Sequence, residues 1–586
     1  MATDADSPKR DSTPNLPANA QANNPASSLP QKRALDDDHV PAVSSPLNPN
    51  PEPKLNKTQS HDDIPAMSRE KRTKKESLKK RESKGVTIAE PGSSRATPEP
   101  KGKHNTKDTL PNDSSPMRYK LAPPKPGDFE PARGPVFTHH HDVSASDGSA
   151  IAFHETSEHV YNKKNFHYLH CIADPQFPSS FYYRQTEPEP HGAHISFEDA
   201  ATHMFFDQSG RHITTDKGFR MARANVAVRQ GRYYWECKVT RGTLKREEGG
   251  KVESHGHVRL GFARREASLD APVGFDAYSY GIRDVQGQKV HMSRPKDFFP
   301  AGEDIAEGDV IGLEIQLPSE QLHRKVVQGH YNPAVDLADD DMSTAEGSNI
   351  VRDRIPIRFK AHIYFEKIDY HTTKELEDLM NPSPVGASGS ALNSDEPNPL
   401  HRVPTLRTLP NSCIKVYKNG VLMGTPFTNL LAFLPPASKP QAQVGAREGL
   451  DDGMLGYYPA ISVFRGGAAE VNFGPDFWYP PAAYGSTSKT QPGEDVEMAN
   501  TADEAATATT AADGAPMPQS ELKSISERYT EQIAEDIVAD IVDEVDFWMQ
   551  DGARVIDRTG GRDEKADVSV GIAPGREEIK ELVQDD

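Results

Sequence analysis

A chain of 586 residues could hold several domains, but 35% hydrophobic content with 49 prolines and 42 glycines is too poor in core-forming side chains for a uniformly folded protein. Three cysteines, Cys171, Cys237 and Cys413, exclude a disulfide framework or a cysteine-rich zinc finger and suit a reducing compartment. The net charge of −19 is unevenly placed, with a basic block in the N-terminal third and an acidic C-terminal tail, and separated blocks point to separate partners. No apolar run reaches the ~18 residues of a membrane span and no charged-then-apolar leader opens the chain, which predicts a soluble intracellular protein without membrane contact.

Residues 1–130 are rich in Pro, Ser, Asn, Asp and Lys and almost lack aromatics. Such a segment cannot bury enough apolar area to offset its chain entropy and is predicted to be disordered. Within it, the block at 69–84 carries Lys71, Arg72, Lys74, Lys75, Lys79, Lys80 and Arg81 in two clusters. This reads as a bipartite nuclear-import signal, as a weak, salt-dependent nucleic-acid contact, or as a solvated charge run; the interspersed Glu70, Glu76 and Glu82 weaken the second reading.

Residues 131–211 bring closely spaced aromatics, Tyr161, Phe166, Tyr168, Phe177, Phe181, Tyr182 and Tyr183, predicted to pack against the edge of the following domain. His139-His140-His141-Asp142 lacks the spaced ligand pairs of a metal site, so no metal is assigned.

From 212 to 480 the pattern is antiparallel β. Gly231-Arg232-Tyr233-Tyr234-Trp235-Glu236-Cys237-Lys238-Val239 alternates with period two, so that Tyr233, Trp235, Cys237 and Val239 can be buried while Tyr234, Glu236 and Lys238 are wetted. Further strands are read at Val258–Ala263, Asp309–Leu317, Ile357–Phe365, Ile414–Lys418, Tyr458–Phe464 and Ala469–Phe473, with Asn419-Gly420 as a hairpin turn. Strands at this density without helical periodicity argue a β-sandwich. Insertions at 242–256, 319–350, 374–411 and 436–452 read as surface loops, since loop closure costs grow only as the logarithm of length. Asp339-Asp340-Asp341 is a solvated run rather than a cation site.

Residues 481–519 turn to Ala, Thr, Ser, Gly and acids, a flexible linker. At 520–550, Ile533, Ile537, Ile541 and Val545, with Val538 and Val542 beside them, form a wide apolar stripe on a helix whose other face is acidic. Such a helix is not stable alone and needs a groove, either a partner's or one on its own sandwich. Residues 551–586 are an acidic tail.

Arg259 and Arg283 fall near strand ends flanking the turn Pro272–Phe275. An arginine fork beside an apolar shelf suits an acidic peptide through charge-assisted bonds; the alternative is a structural ion pair at a sheet edge. No phosphate loop, Gly-x-Ser-x-Gly elbow or His-Glu-x-x-His occurs, so no catalytic residues and no cofactor are assigned, and a binding module is the class predicted.

The order of these blocks resembles the SPRY domain, carried by Gly-x-Tyr-Tyr-Trp-Glu, Arg-Leu-Gly-Phe, Gly-Phe-Asp-x-Tyr-Ser-Tyr, Gly-Asp-Val-Ile-Gly, Tyr-Lys-Asn-Gly and Val-Asn-Phe-Gly-Pro. With the Phe-Lys-x-x-x-Tyr-Phe-Glu segment and Ala534–Asp546 it is similar to the SPRY subunit of COMPASS-type histone H3 lysine-4 methyltransferases, the absent-small-homeotic/Bre-type family, in a fungal-like short form without the N-terminal zinc finger of animal members. The resemblance implies a mainly β SPRY sandwich with long insertions and a C-terminal docking helix. It implies a nuclear, non-catalytic scaffold whose partners are a SET-domain methyltransferase, a WD-repeat subunit and a Dpy-30-type dimer, with chromatin reached indirectly. In it, Arg259, Pro272, Phe275 and Arg283 would line the groove for the WD-repeat subunit's acidic segment; the family commonly has Tyr where this chain has Phe275. Ile533, Ile537, Val538, Ile541, Val542 and Val545 would meet the Dpy-30-type dimer. A SPRY substrate adaptor of another class is the alternative, and it would need a RING, B-box or SOCS-box module that the sequence does not show.

Overall fold

The strand most plainly marked by its alternation, Gly231–Arg241, lies at the centre of the larger of two facing sheets. The computed structural model describes residues 118–485, 521–549 and 555–557, apart from 122, 145–147, 163–165, 177, 179–181, 246–252, 340–349, 382–395, 436 and 440–448. The N-terminal basic block at 69–84, nearly all of the 481–519 segment and nearly all of the acidic tail lie outside those residues.

In spatial order the larger, ten-stranded sheet runs Val421–Thr428, Cys413–Lys418, Val310–Leu317, Gly231–Arg241, Ala468–Asn472, His212–Thr214, Phe205–Phe206, Ala150–Ser157 and Val136–Ser144; Leu522–Ser524 adds a short parallel strand against Arg232–Tyr234. The seven-stranded sheet runs Arg294–Lys296, Lys289–His291, Ser279–Arg283, His257–Ala263, Tyr458–Phe464, Arg220–Ala224 and Ile195–Ala200. Between them Trp235, Cys237, Val239, Leu313 and Ile315 of one sheet share a core with Leu260, Phe262, Ile461 and Val463 of the other. Trp235 meets Phe262 edge to face at 6.2 Å between ring centres. This is the antiparallel sandwich predicted, and Asn419-Gly420 turns its hairpin with φ of 48° and 84°.

Four sequence expectations are corrected. The outer face of the central strand is not wetted at Tyr234 and Glu236, which are fully buried. Tyr417, Leu522, Phe477 and Tyr484 cover Tyr234, and Glu236 accepts the backbone N–H groups of Trp478 at 2.6 Å and Tyr479 at 2.8 Å. Ile357–Phe365 is not one strand: the chain turns at Lys360, φ 52°, to make a hairpin of Ile355–Phe359 with His362–Ile368. That hairpin pairs with Phe166–Ala173, which pairs with Tyr183–Gln185, giving a separate four-stranded sheet. Its core holds Cys171, Tyr183, Ile363 and Phe365. Residues 131–211 are therefore divided between three sheets rather than packed against one edge.

The insertions at 319–350 and 374–411 are not wholly loop. The first opens with a helix, Glu320–Gln328, whose N-cap Ser319 accepts the Leu322 N–H and whose C-cap Gly329 is left-handed. The second holds the helix Lys374–Met380, whose Leu376 packs with Leu406, Val273 and Tyr278 over the outer side of the seven-stranded sheet.

His212 lies 3.4 Å from Asp207 and 3.7 Å from Glu470, joining a hairpin to the strand Ala468–Asn472. Burial pushes the imidazole down, but the two carboxylates outweigh it and lift its pKa to about 9. A raised folded-state pKa contributes stability that is complete below the ordinary value near 6.5 and lost as pH rises through about 9. Urea unfolding of His212→Gln beside the wild type should therefore show a gap of roughly 1–2 kcal/mol near pH 6 that closes by pH 10; the contacts are longer than hydrogen bonds, which keeps it small. A gap that widens with pH would refute the assignment.

Candidate partner-binding surfaces

In antiparallel strands, residues directly opposite share a face, so register alone builds the first surface. Met221 pairs with Ser462, Ser462 with Arg259, and Arg259 with Arg283, forming one row across the outer side of the seven-stranded sheet. In the next row Gly261 faces Gly281, and a Cβ at Gly281 would lie 2.8 Å from the carbonyl oxygen of Val273. The missing side chain lets the 271–275 turn fold onto the sheet, where the Val273 N–H donates to Ser462 Oγ at 3.1 Å. Pro272 and Phe275 thus flank Val273 in the turn that folds onto the face carrying the arginine row, with Phe275 45% exposed.

The two guanidinium groups are crowded and under-neutralised. Arg283 donates to Gln288 Oε1 at 3.1 Å, and the Arg259 guanidinium stacks 4.7 Å from the centre of the Phe219 ring. Among the described residues neither arginine makes an ion pair with a carboxylate. Burial first, and the charge of Arg283 second, push Arg259 down to about 10, with Asp284 opposing. The sheet-edge ion pair entertained from the sequence is absent there, and what the row can do is accept an anion. Phe219, which stacks on Phe464 at 4.7 Å, belongs to this surface and was not singled out by sequence reasoning; its signal was an aromatic just before a strand that carries no core role.

The second surface is the C-terminal helix, Ile525–Met549. It starts with a capping box: the Ser524 N–H donates to Glu527 Oε2 at 2.6 Å and the Glu527 N–H to Ser524 Oγ at 3.1 Å. Its first turns are part of the sandwich. Ile525 is in the main core, Arg528 donates to the Ala227 carbonyl at 3.0 Å, and Tyr233 donates to Glu531 at 2.6 Å. The separate helix beyond a linker is thus corrected for its N-terminal half, which is tied on by Leu522–Ser524.

From Asp536 onward the face applied to the body is the acidic one. Arg352 Nη1 is 2.6 Å from Asp536 Oδ1, Arg354 grips Asp540 and lies 3.7 Å from Asp543, and Arg184 donates to Glu544 at 3.2 Å. Burial pushes the Asp540 carboxyl up, with Arg354 opposing. Val538, Ile541, Val542 and Val545 point away and are between 50% and 59% exposed, Ile537 is 55% exposed but borders the cavity beneath the helix, and Ile533 is half-buried. Beneath this part lies a cavity of about 290 Å³ lined by His167, Glu187, Glu198, Tyr529, Ile533 and Asp536 among others.

No protein-family model matches the chain. Over 589 residues it is 64% identical to the COMPASS component cclA of Colletotrichum higginsianum, covering 100% of both chains. It is 38% identical to the Set1 complex component ash2 of Schizosaccharomyces pombe over 435 residues, 74% of this chain and 52% of that one. Among solved structures, a human SPRY domain aligns over 47% of this chain and 98% of its own, at 12% identity and a TM-score of 0.22. The chain belongs to the family of COMPASS and Set1-complex components that contains cclA and ash2.

Proposed function

We propose that the chain is a non-catalytic scaffold subunit of a COMPASS-type histone H3 lysine-4 methyltransferase complex, acting in the nucleus and reaching chromatin through its partners. The observation that carries this is the orientation of the C-terminal helix, with its acidic side spent on the protein's own arginines and five apolar side chains left exposed. A contiguous apolar helix face in solvent is what an apolar groove on a partner covers, read as anchors three and four residues apart. The resemblance supplies the partner, a Dpy-30-type dimer. The row of Arg259 and Arg283, with Phe219, Pro272 and Phe275 around it, fits an acidic segment, supplied by the WD-repeat subunit. Holding both partners, the chain would stabilise the competent conformation of the SET-domain subunit, and a subunit can raise turnover this way without contributing a reactive group.

The test is recovery of tagged full-length protein from its native cells, with partners read by mass spectrometry. SET-domain and WD-repeat subunits should accompany it together with a small dimeric helical protein. Recovery of neither a methyltransferase nor such a dimer would overturn the reading.

A further inference from the structure

The helix holds its stripe outward although, among the described residues, none of its second half joins an apolar core cluster of the body and only Ile537 reaches the edge of the cavity beneath it. From Asp536 to Glu544 the described contacts with the sandwich and the small sheet are polar: Asp536 with Arg352 and Gln185, Asp540 with Arg354 and the Tyr182 hydroxyl, Asp543 with Arg354, Glu544 with Arg184. The arginines are themselves fixed. Arg354 donates to the Tyr183 carbonyl at 3.2 Å, stacks 5.2 Å from the Phe365 ring centre, and is 7% exposed, as is Arg352. Arg352 and Arg354 precede the hairpin Ile355–Ile368, and Arg184 lies on Tyr183–Gln185, so the segment leading into the hairpin and one strand of the four-stranded sheet present the cationic side. The acids recur at 536, 540, 543 and 544, the three- and four-residue spacing of one helix face, and the apolar set at 537, 538, 541, 542 and 545 fills the other.

We propose that Arg352, Arg354 and Arg184 act as positioning residues, clamping the second half of the helix to the small sheet so that the stripe is presented to a partner ready-formed. The inference rests on the helix being a docking element, as proposed above. Buried ion pairs contribute little net stability, because desolvation offsets attraction, but they discriminate strongly between arrangements. These pairs differ from core pairs in one respect: if one side is removed, the helix can lift and return its carboxylates to water. Loss of the clamp therefore frees residues 536–545 without unfolding the sandwich. A helix that must first be ordered binds more weakly by the fraction of time it is ordered. The four-stranded sheet, which the sandwich does not need for its own core, thereby acquires a role.

The experiment uses the full chain. Amide hydrogen exchange is followed for Arg352→Gln with Arg354→Gln, and for Asp536→Asn with Asp540→Asn and Asp543→Asn, which leaves the small sheet intact should the arginine variant fail to fold. Protection of amides 536–545 should drop by roughly tenfold or more, as for a segment opening on its own, while amides 525–532 keep theirs. Raising sodium chloride should leave the wild-type segment largely protected, since the pairs of Arg352 and Arg354 are buried and only the Arg184–Glu544 pair is open to screening. Affinity for a purified Dpy-30-type dimer should fall about tenfold in parallel. Unchanged protection in the aspartate variant overturns the clamp, and lost protection with unchanged affinity overturns its positioning role. If the wild type binds no such dimer, the proposed function fails, while the exchange data still decide the clamp.

Discussion

Changing Ile537, Ile541 and Val545 together to glutamate should abolish binding of a Dpy-30-type dimer, at least a thousandfold loss by calorimetry, and leave the protein's melting unchanged. The expected size follows from burial. Each large aliphatic side chain moved from water into an apolar groove contributes about 1.5–3 kcal/mol, so three lost anchors exceed about 4 kcal/mol, and each 1.4 kcal/mol is tenfold in affinity. The expected silence in folding follows from exposure: all three side chains are at least half exposed and none belongs to the sandwich core, Ile537 alone bordering the cavity under the helix. Glutamate is also a better helix former than isoleucine or valine, so the substitutions do not unwind the helix. Val538→Glu with Val542→Glu, on the adjoining edge of the stripe, should cost less. Binding that survives the triple substitution would remove the stripe from the interface, and a large drop in melting would mean that the stripe packs on the body after all.

What the sequence disclosed here was governed by which contacts are local. Period-two alternation in Gly231–Arg241 identified the core side, Tyr233, Trp235, Cys237 and Val239, because one buried face imposes its pattern on the strand itself. The same pattern misassigned Tyr234 and Glu236, since the cover over them comes from Phe477, Tyr484 and Leu522, more than 240 residues away, with no trace in the strand. The helix Glu320–Gln328 did carry local signals, a capping Ser319 and a terminal Gly329, that were overlooked beside the aspartate run that follows. The turn at Lys360 carried none, because lysine is not a residue that favours positive φ. The apolar stripe was legible by helical periodicity; the direction in which it points was not, because it is set by Arg184, Arg352 and Arg354 on a different sheet. The arginine row falls between these cases: Arg259 and Arg283 could be picked by residue type, but Phe219 beneath Arg259 depends on the register of strands far apart in sequence.

That row yields the second large effect. Arg259→Ala with Arg283→Ala should weaken binding of an acidic peptide from the WD-repeat subunit by about a hundredfold or more, since hydrogen bonds to charged groups are worth roughly 1.5–3 kcal/mol each. The remaining binding should depend less on salt than the wild type's. Removal of a buried cation ordinarily destabilises a fold by orphaning its counter-ion, but here no carboxylate among the described residues pairs with either guanidinium, and the two repel each other. The double variant should therefore melt at the wild-type temperature or slightly above it, and this combination, lost affinity with retained stability, separates a binding role from a structural one. Arg259→Lys should recover the charge without the planar stack on Phe219 and restore only part of the affinity. If melting falls steeply instead, the arginines hold the sheet together and the anion they await is one of the protein's own. If both hold, the depressed Arg259 has a plain meaning: the sheet keeps a guanidinium partly buried and short of negative charge until a partner supplies it.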